Sequence, residues 1–148
     1  MKTGCNVKHL EFQGLEKRVV IGRFDGGALT SDAGGLLLRE IDERLGIMDR
    51  FSGCFTDYRN PESIEHEVRA LVRQRVYGIA LGYEDLNDHD ELRSDPLLAV
   101  LCGKGDPKGE KRRYARDKGK ALAGKSTLNR IELTEAEADK DSRYKKIK

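Results

Sequence analysis

The segment NPESIEHEVRALVRQRVYGIALGY constrains the fold more than any other part of the chain. Asn60 is a favourable helix N-cap and Pro61 suits the first helical position, so the sequence predicts a helix over residues 61–82. Its apolar residues recur at helical spacing and form one broad face: Ile64, Val68, Leu71, Val72, Val76, Ile79 and Ala80. Such a face must pack against a large surface. We expect its three arginines to lie mainly off that face and to be solvated rather than bound to DNA: Arg69, Arg73 and Arg75.

Shorter elements precede this helix. Two strands are predicted around the turn QGLE, one from Val7 to Phe12 and one from Arg18 to Phe24, because VVIGRF is rich in β-branched residues. The next helix is AGGLLLREIDERL, which Ser31 or Asp32 can cap and which Gly46 ends. Its predicted apolar positions keep helical spacing: Leu36, Leu37, Ile41 and Leu45.

Short helices follow the long one. LNDHDELRSDPLLAVLCG predicts two of them, the second capped by Asp95 with Pro96 at its first position. Ser126 can cap a last helix that frays towards its end. The fold class is therefore mostly α with a short N-terminal β hairpin (α+β). We expect a hairpin and helical region over residues 1–103, a basic linker over residues 104–125, and a short helix with a charged tail over residues 126–148.

The charges are unevenly distributed along the chain. Residues 1–103 carry 13 Lys/Arg and 18 Asp/Glu, whereas residues 104–130, the basic segment, carry ten Lys/Arg and three Asp/Glu. The composition of GKGDPKGEKRRYARDKGKALAGK predicts a mobile loop with no packed core. A basic block after an acidic body indicates a polyanionic partner. Nine cations are candidate DNA contacts: Lys108, Lys111, Arg112, Arg113, Arg116, Lys118, Lys120, Lys125 and Arg130. A solvated linker that contacts nothing is the alternative.

A nucleotide-binding motif is matched letter for letter within this segment. Gly119, Gly124, Lys125 and Ser126 fit the phosphate-loop pattern G-x-x-x-x-G-K-[ST]. That loop needs a buried apolar strand that leads into the turn, and RRYARDKGKA is not such a strand. We therefore interpret the match as a coincidence of composition.

Metal and cysteine chemistry is not predicted. The acidic run around His89 (Glu84, Asp85, Asp88, Asp90 and Glu91) does not fit a calcium loop, and a solvated helix start explains it more simply. The three histidines, His9, His66 and His89, lack metal-ligand spacing. Cys5, Cys54 and Cys102 are odd in number and contain no C-x-x-C, so neither a disulfide framework nor a zinc site is expected. Asp25 and Asp32 are favoured as turn and cap residues rather than catalytic acids.

The cellular compartment expected is the cytoplasm. No apolar run approaches the ~20 residues that a membrane helix needs. The N-terminal MKTGCNVKHLEF also lacks the apolar core of a signal peptide.

Three phrases together resemble the N-terminal part of bacterial DDE-type insertion-sequence transposases: FDGGALTSDAGGLLLREIDERLG, CFTDYRNPESIEHEVRALVRQRVYGIALGYEDLNDHDELRSDPLLAVLCGK and LAGKSTLNRIEL. The resemblance runs from about Phe24 to Leu133. It implies the N-terminal helical part of an RNase H-like, cut-and-paste enzyme, with DNA (the transposon ends) as partner. In this family three carboxylates hold two divalent cations, such as Mg²⁺, which activate water and then a 3′-hydroxyl.

The resemblance also implies that the catalytic core is incomplete. The first catalytic acid is expected on a strand shortly beyond the last helix, and the sequence stops at Lys148. No position matches the catalytic motif, so no catalytic residue, metal ligand or cofactor is assigned. We therefore expect a truncated transposase with a DNA-binding and assembly role that is inactive by itself. It would form a homo-oligomer or a mixed assembly with full-length transposase. The alternative is a stand-alone DNA-binding or interaction module that modulates full-length transposase; a nucleotide hydrolase is remote.

Overall fold

The computed structural model of the protein describes residues 9–23, 30–133, 141 and 147. In this part of the chain an antiparallel hairpin precedes a set of α-helices: β1 (His9–Leu15), β2 (Arg18–Arg23), α1 (Gly35–Leu45), α2 (Ile47–Ser52), α3 (Val68–Ala80), α4 (His89–Leu92), α5 (Pro96–Leu101) and α6 (Lys125–Glu132). Short 3-10 turns lie between them at Ser31–Gly34, Pro61–Ser63, Leu86–Asp88 and Ala115–Asp117. The predicted α+β class is confirmed. Within the described ranges, no helix has the length and apolar character needed to cross a bilayer.

The hairpin turns later than predicted. Its first strand continues to Leu15, so the turn falls at Glu16, whose φ of 54° is unusual for a residue with a side chain. Arg39 of α1 holds the hairpin by donating hydrogen bonds to the carbonyl oxygens of Gln13 (2.7 Å) and Gly14 (3.3 Å). The predicted outer strand ends, Val7 and Phe24, lie outside the described residues.

Helix α3 lies between two apolar clusters and is the centre of the fold. The first cluster contains Leu36, Tyr77, Leu98, Ala99, Leu101, Cys102, Ala121 and Leu122. The second contains Leu71, Val72, Ala123, Leu128, Ile131 and Ile147. Both clusters therefore join α3 to residues that follow the basic loop. The predicted broad face is confirmed for Leu71 and Val72, whereas Ile79 is exposed.

The predicted start of this helix was wrong. Asn60 accepts a hydrogen bond from the backbone N–H of Glu62 (3.1 Å), but it caps only a 3-10 turn. The backbone is extended at Ile64 and again at Glu67, and the α-helix begins at Val68. The intervening residues instead contact the basic segment, a tertiary interaction that local propensity does not reveal.

Helix α1 buries a different face from the one predicted. Leu36 is buried, but Leu37, Ile41 and Leu45 are 58%, 51% and 55% exposed. The buried side carries Arg39 and Asp42 instead, because both make polar contacts within the fold. The end of α1 at Gly46 is confirmed, with a left-handed φ of 65°.

Arg73 explains why α1 buries its polar side instead of its apolar side. It is 3% exposed, and its guanidinium contacts the carboxylates of Asp42 (3.1 Å) and Glu43 (2.9 Å). The Tyr77 hydroxyl donates to the same Asp42 carboxylate (3.2 Å), and burial, with that carboxylate nearby, raises the pKa of Tyr77. The expectation of a solvated arginine was therefore wrong here. Arg69 is partly exposed and pairs with Asp49, whereas Arg75 is half-buried.

Arg75 is that half-buried arginine. It pairs with Glu132 of α6 and donates to the carbonyl oxygen of Glu84 (2.8 Å). It therefore ties α3 to both the last helix and the loop before α4, and the expectation of full solvation was wrong for it as well.

The helix starts around the core were predicted with mixed success. Asp95 accepts from the backbone N–H groups of Leu97 and Leu98 (2.7 and 3.0 Å), so its role as the cap of α5 is confirmed. Thr30, rather than Ser31 or Asp32, caps the turn that leads into α1. The last helix has Gly124 as its N-cap, so the predicted cap Ser126 lies inside it. Of the tail expected to fray, residues 134–140, 142–146 and 148 lie outside the described residues.

Ile147 brings the tail into contact with the rest of the fold. Its side chain is 2% exposed in the second apolar cluster, and its backbone forms an antiparallel bridge with Asp57. The chain therefore returns to the helical body at this position.

Candidate nucleic-acid interface

The C-terminal part of the basic segment, residues 121–123, packs against the helices. The Gln74 amide of α3 donates to the carbonyl oxygen of Ala123 (2.7 Å) and accepts from the N–H of the same residue (3.0 Å). Ala121 and Leu122 are also buried, at 4% and 0% exposure. The expectation that this composition builds no core was wrong for residues 121–123. ALA is a short apolar run, and its burial depends on the Gln74 partner across the fold.

Residues 109–119, the basic loop, form a closed loop upstream of this attachment. The N–H of Gly119 donates to the carbonyl oxygen of Gly109 (3.1 Å), and the two glycines have left-handed φ values of 80° and 65°. A Cβ at Gly109 would lie 2.7 Å from the backbone nitrogen of Ala121, whereas one at Gly119 would meet nothing within 4 Å. Loops of this length with adjoining ends are compact surface units that often carry function.

Arg112 fixes the first half of the basic loop. Its guanidinium donates to the Glu65 carboxylate (2.8 Å), the Lys120 carbonyl oxygen (3.0 Å) and His66 Nε2 (2.8 Å). Because His66 accepts at Nε2, the neutral ring carries its proton on Nδ1. Burial, reinforced by the cations Lys104 and Arg112, lowers the pKa of His66 to about 3. Burial likewise lowers the pKa of Lys104.

A second anchor fixes the other half of the loop. Arg93, which follows α4, donates to the Asp117 carboxylate (3.1 Å), and its carbonyl oxygen accepts from the N–H of Leu122 (3.0 Å). The 3-10 turn Ala115–Asp117 holds the backbone between the anchors. The loop is thus held on both sides of its tip.

The nine predicted DNA-contacting cations fall into three groups. Five are exposed in or beside the basic loop: Lys108, Lys111, Arg113, Arg116 and Lys118. Arg112 and Lys120 are half-buried, and Arg112 has the structural contacts described above. Lys125 and Arg130 are exposed on α6.

The contacts of Lys125 show that the residues matching the phosphate-loop pattern do not have the geometry of a phosphate-binding loop. Its backbone N–H donates to Asp90 Oδ1 (3.1 Å), and its Nζ lies 3.4 Å from Asp90 Oδ2. A carboxylate of the protein therefore occupies the helix N-terminus where a phosphate would sit. Residues 112–124 contain a 3-10 turn rather than the strand that such a loop requires.

The acidic run before and within α4 is dispersed. Asp85 caps the turn Leu86–Asp88, Asp90 faces Lys125, and His89 is fully buried with its Nδ1 3.2 Å from Gln74 Nε2. Burial lowers the pKa of His89. Among the residues that the structure describes, no group of three His, Cys, Asp or Glu side chains could hold a metal ion. The divalent cations implied by the resemblance therefore do not fit this part of the chain.

The cysteines show contrasting surroundings. Cys54 is exposed, whereas burial raises the pKa of the Cys102 thiol to about 12. A thiol with so high a pKa is not a nucleophile near neutral pH.

Tyr114 is a candidate functional residue that sequence reasoning missed. Its ring is 47% exposed at the tip of the basic loop, with the guanidinium carbons of Arg113 and Arg116 lying 5.6 and 5.2 Å from the ring centroid. The signal in the sequence was RRYAR, an aromatic residue among arginines, which is typical of nucleic-acid-binding surfaces.

Comparison with known proteins defines the family. The family model described as Transposase DDE domain group 1 matches residues 12–147. The match includes the hairpin from its fourth residue, every helix described above and the basic loop. Neither a curated protein nor a solved structure matches the chain. The chain belongs to the DDE transposase family.

Proposed function

We propose that this chain is the DNA-binding and assembly portion of a cut-and-paste transposase of a bacterial insertion sequence, acting in the cytoplasm on transposon ends. We further propose that it packs beside an RNase H-like catalytic core. Family membership supports the link to DNA. The observation that carries the proposal is the basic loop, which presents clustered cations on a fixed backbone.

The charge balance of the loop favours a polyanion. Five cations are exposed between residues 108 and 118, and Glu110 is the exposed carboxylate among them. Asp117 is half-buried and lies 3.1 Å from Arg93 and 3.6 Å from Arg116, so it offsets only part of the charge of the outer surface. Holding the loop in place before binding lowers the entropy lost when its side chains meet phosphates. Contacts to phosphates supply affinity without reading sequence.

Fluorescence anisotropy with a labelled duplex tests this function. The variant Lys111→Gln with Lys118→Gln removes two exposed loop charges. We expect it to bind the duplex at least tenfold more weakly at low salt, because each phosphate contact contributes to counterion release. Arg50→Gln combined with Lys17→Gln removes the same charge at exposed positions outside the loop and serves as the control. Equal affinity of the two double variants would contradict the proposal.

We propose that catalysis depends on a group of carboxylates that is not found among the described residues. The family chemistry needs three acids around divalent cations, and the described residues contain no group of side chains that could hold such an ion. We therefore propose that this chain positions DNA and that the carboxylates needed for strand cleavage belong to the wider transposase. Nicking of supercoiled DNA by the purified chain with Mg²⁺ or Mn²⁺ would contradict this.

An assembly role has its own supporting observation. Leu37, Ile41 and Leu45 lie at i, i+4 spacing on α1 and are all more than half exposed, with Ile47 and Phe51 of α2 also exposed. These five residues are the apolar face. Exposed apolar patches of this kind mark protein–protein contacts. We propose that it joins two copies of the chain, or this chain and a full-length transposase.

A further inference from the structure

Tyr114 lies at the tip of the basic loop without a structural role of its own. The ring is 47% exposed and belongs to neither apolar cluster. Its hydroxyl makes no hydrogen bond within the described part of the chain, whereas the buried Tyr77 bonds to a carboxylate. The exposed part of the ring is therefore available for contact with a partner.

The backbone beneath the ring is fixed. Arg112, two residues before Tyr114, is held by Glu65, and Asp117, three residues after it, is held by Arg93. The N–H of Asp117 also donates to the carbonyl oxygen of Tyr114 (3.0 Å). The ring is therefore presented from a braced loop, as a rigid platform requires.

Two arginines stand beside this ring. Arg113 donates to the carbonyl oxygen of Glu62 (3.1 Å) and lies 5.6 Å from the ring centroid, while Arg116 lies 5.2 Å from it. An aromatic ring among cations matches the alternation of bases and phosphates along a nucleic acid strand. Cation–π contacts at exposed sites are weak, so an incoming base can replace a guanidinium at the ring.

We propose that Tyr114 is a stacking platform for an unpaired DNA base, with Arg113 and Arg116 contacting the phosphates that flank this base. The proposal rests on the DNA binding proposed above and adds a preference for DNA whose bases are not all paired. Inside a duplex each base is covered on both faces by its neighbours, so away from the duplex ends the ring meets a free π-face at unpaired positions.

The test compares two DNAs at the same salt concentration. One is a blunt duplex, and the other has the same duplex with a three-nucleotide single-stranded tail. We expect the wild-type chain to prefer the tailed DNA by about tenfold, the range that one base–aromatic stack supplies. Tyr114→Leu should abolish this preference and leave blunt-duplex affinity unchanged. Tyr114→Phe should keep it, because the ring is retained.

Tyr58→Leu serves as the matched control, because Tyr58 is a 38% exposed tyrosine outside the basic loop. It should retain the preference. No preference in the wild-type chain, or a preference that survives Tyr114→Leu, would overturn the stacking proposal while leaving phosphate binding intact. An equal loss of affinity for both DNAs in Tyr114→Leu would also overturn it. Absence of binding to either DNA would overturn both this proposal and the proposed function.

Discussion

Arg112 helps to fix the geometry of the basic loop from within the protein. It is charged and sits in a basic stretch, yet its guanidinium is used within the protein. Three interactions converge on it, with Glu65, His66 and the carbonyl oxygen of Lys120. Cations that look alike in sequence therefore divide into those that build the loop and those that face outward.

Replacement of Arg112 by Met should measure this structural role. The change keeps the side-chain length but leaves three polar groups without their partner, so we expect a loss of about 2 kcal/mol in the free energy of unfolding. Lys111→Met, at the exposed neighbouring position, should change stability by less than about 0.5 kcal/mol. Urea unfolding measures both. Equal stability of the two variants would show that the Arg112 contacts contribute little.

His66 makes stability depend on pH. Burial lowers its pKa to about 3 in the folded chain, below the ordinary value of 6.5 in the unfolded chain. Between these values the unfolded state binds the extra proton, so the stability contribution is complete above about pH 6.5 and declines as the pH falls towards 3. Lowering the pH from 8 to 5 should cost about 2 kcal/mol through this residue.

His66→Gln isolates this effect, because the amide oxygen can still accept from Arg112 but does not titrate. Urea unfolding at pH 8 and pH 5 should show a smaller loss of stability in the variant than in the wild-type chain. Identical losses in the two proteins would contradict a depressed pKa at His66.

At the scale of elements, sequence patterns identified most of the helices and the hairpin but not their buried faces. Capping by Asp95 and termination at Gly46 follow from local chemistry and were predicted correctly. The exposed face of α1 and the late start of α3 could not be predicted in this way. Both depend on pairs distant in sequence, Asp42 with Arg73 and Glu65 with Arg112. Tertiary pairing of this kind overrides helical periodicity.

The candidate interface was predictable in composition but not in shape. Charge counting found the basic segment, yet composition alone predicted a mobile linker. The contacts that shape it come from Gln74 and Arg93, which lie in other elements and carry no local signal for this role. The exposed position of the Tyr114 ring likewise depends on the fixed shape of the loop, which composition did not predict.

The two glycines that close the basic loop offer a matched test of this element. Ala at Gly119 meets nothing within 4 Å and should cost about 1 kcal/mol for its left-handed backbone. Ala at Gly109 pays that cost and also meets the backbone nitrogen of Ala121 at 2.7 Å, so the loss of stability should be clearly larger. Thermal unfolding of both variants measures these two losses of stability. A Gly109→Ala protein as stable as Gly119→Ala would contradict the loop geometry.

At the scale of the whole molecule, the described residues form surfaces of contrasting chemistry. The basic loop is charged, whereas the apolar face on α1 and α2 is not. The proposed DNA-binding surface is therefore separate in composition from the proposed assembly surface. The two surfaces can therefore be altered independently.

Ile41→Lys should weaken association through the apolar face. Ile41 is 51% exposed, so the substitution should leave the free energy of unfolding within about 0.5 kcal/mol of wild type while placing a charge in the contact. Sedimentation velocity should show a larger species for the wild-type chain than for this variant. Val19→Lys, at a 72% exposed position of β2, is the control and should sediment like wild type. A monomeric wild-type chain would contradict the joining of two copies through the apolar face.

The salt dependence of DNA binding tests the central claim most directly. For the wild-type chain, the logarithm of the association constant should fall linearly with the logarithm of salt concentration, by about 0.9 for each phosphate contacted. Replacing Lys108, Lys111 and Lys118 with Gln should reduce the magnitude of that slope by about 3 if all three contact phosphates. A slope that is unchanged by the triple substitution would show that DNA does not bind at the basic loop.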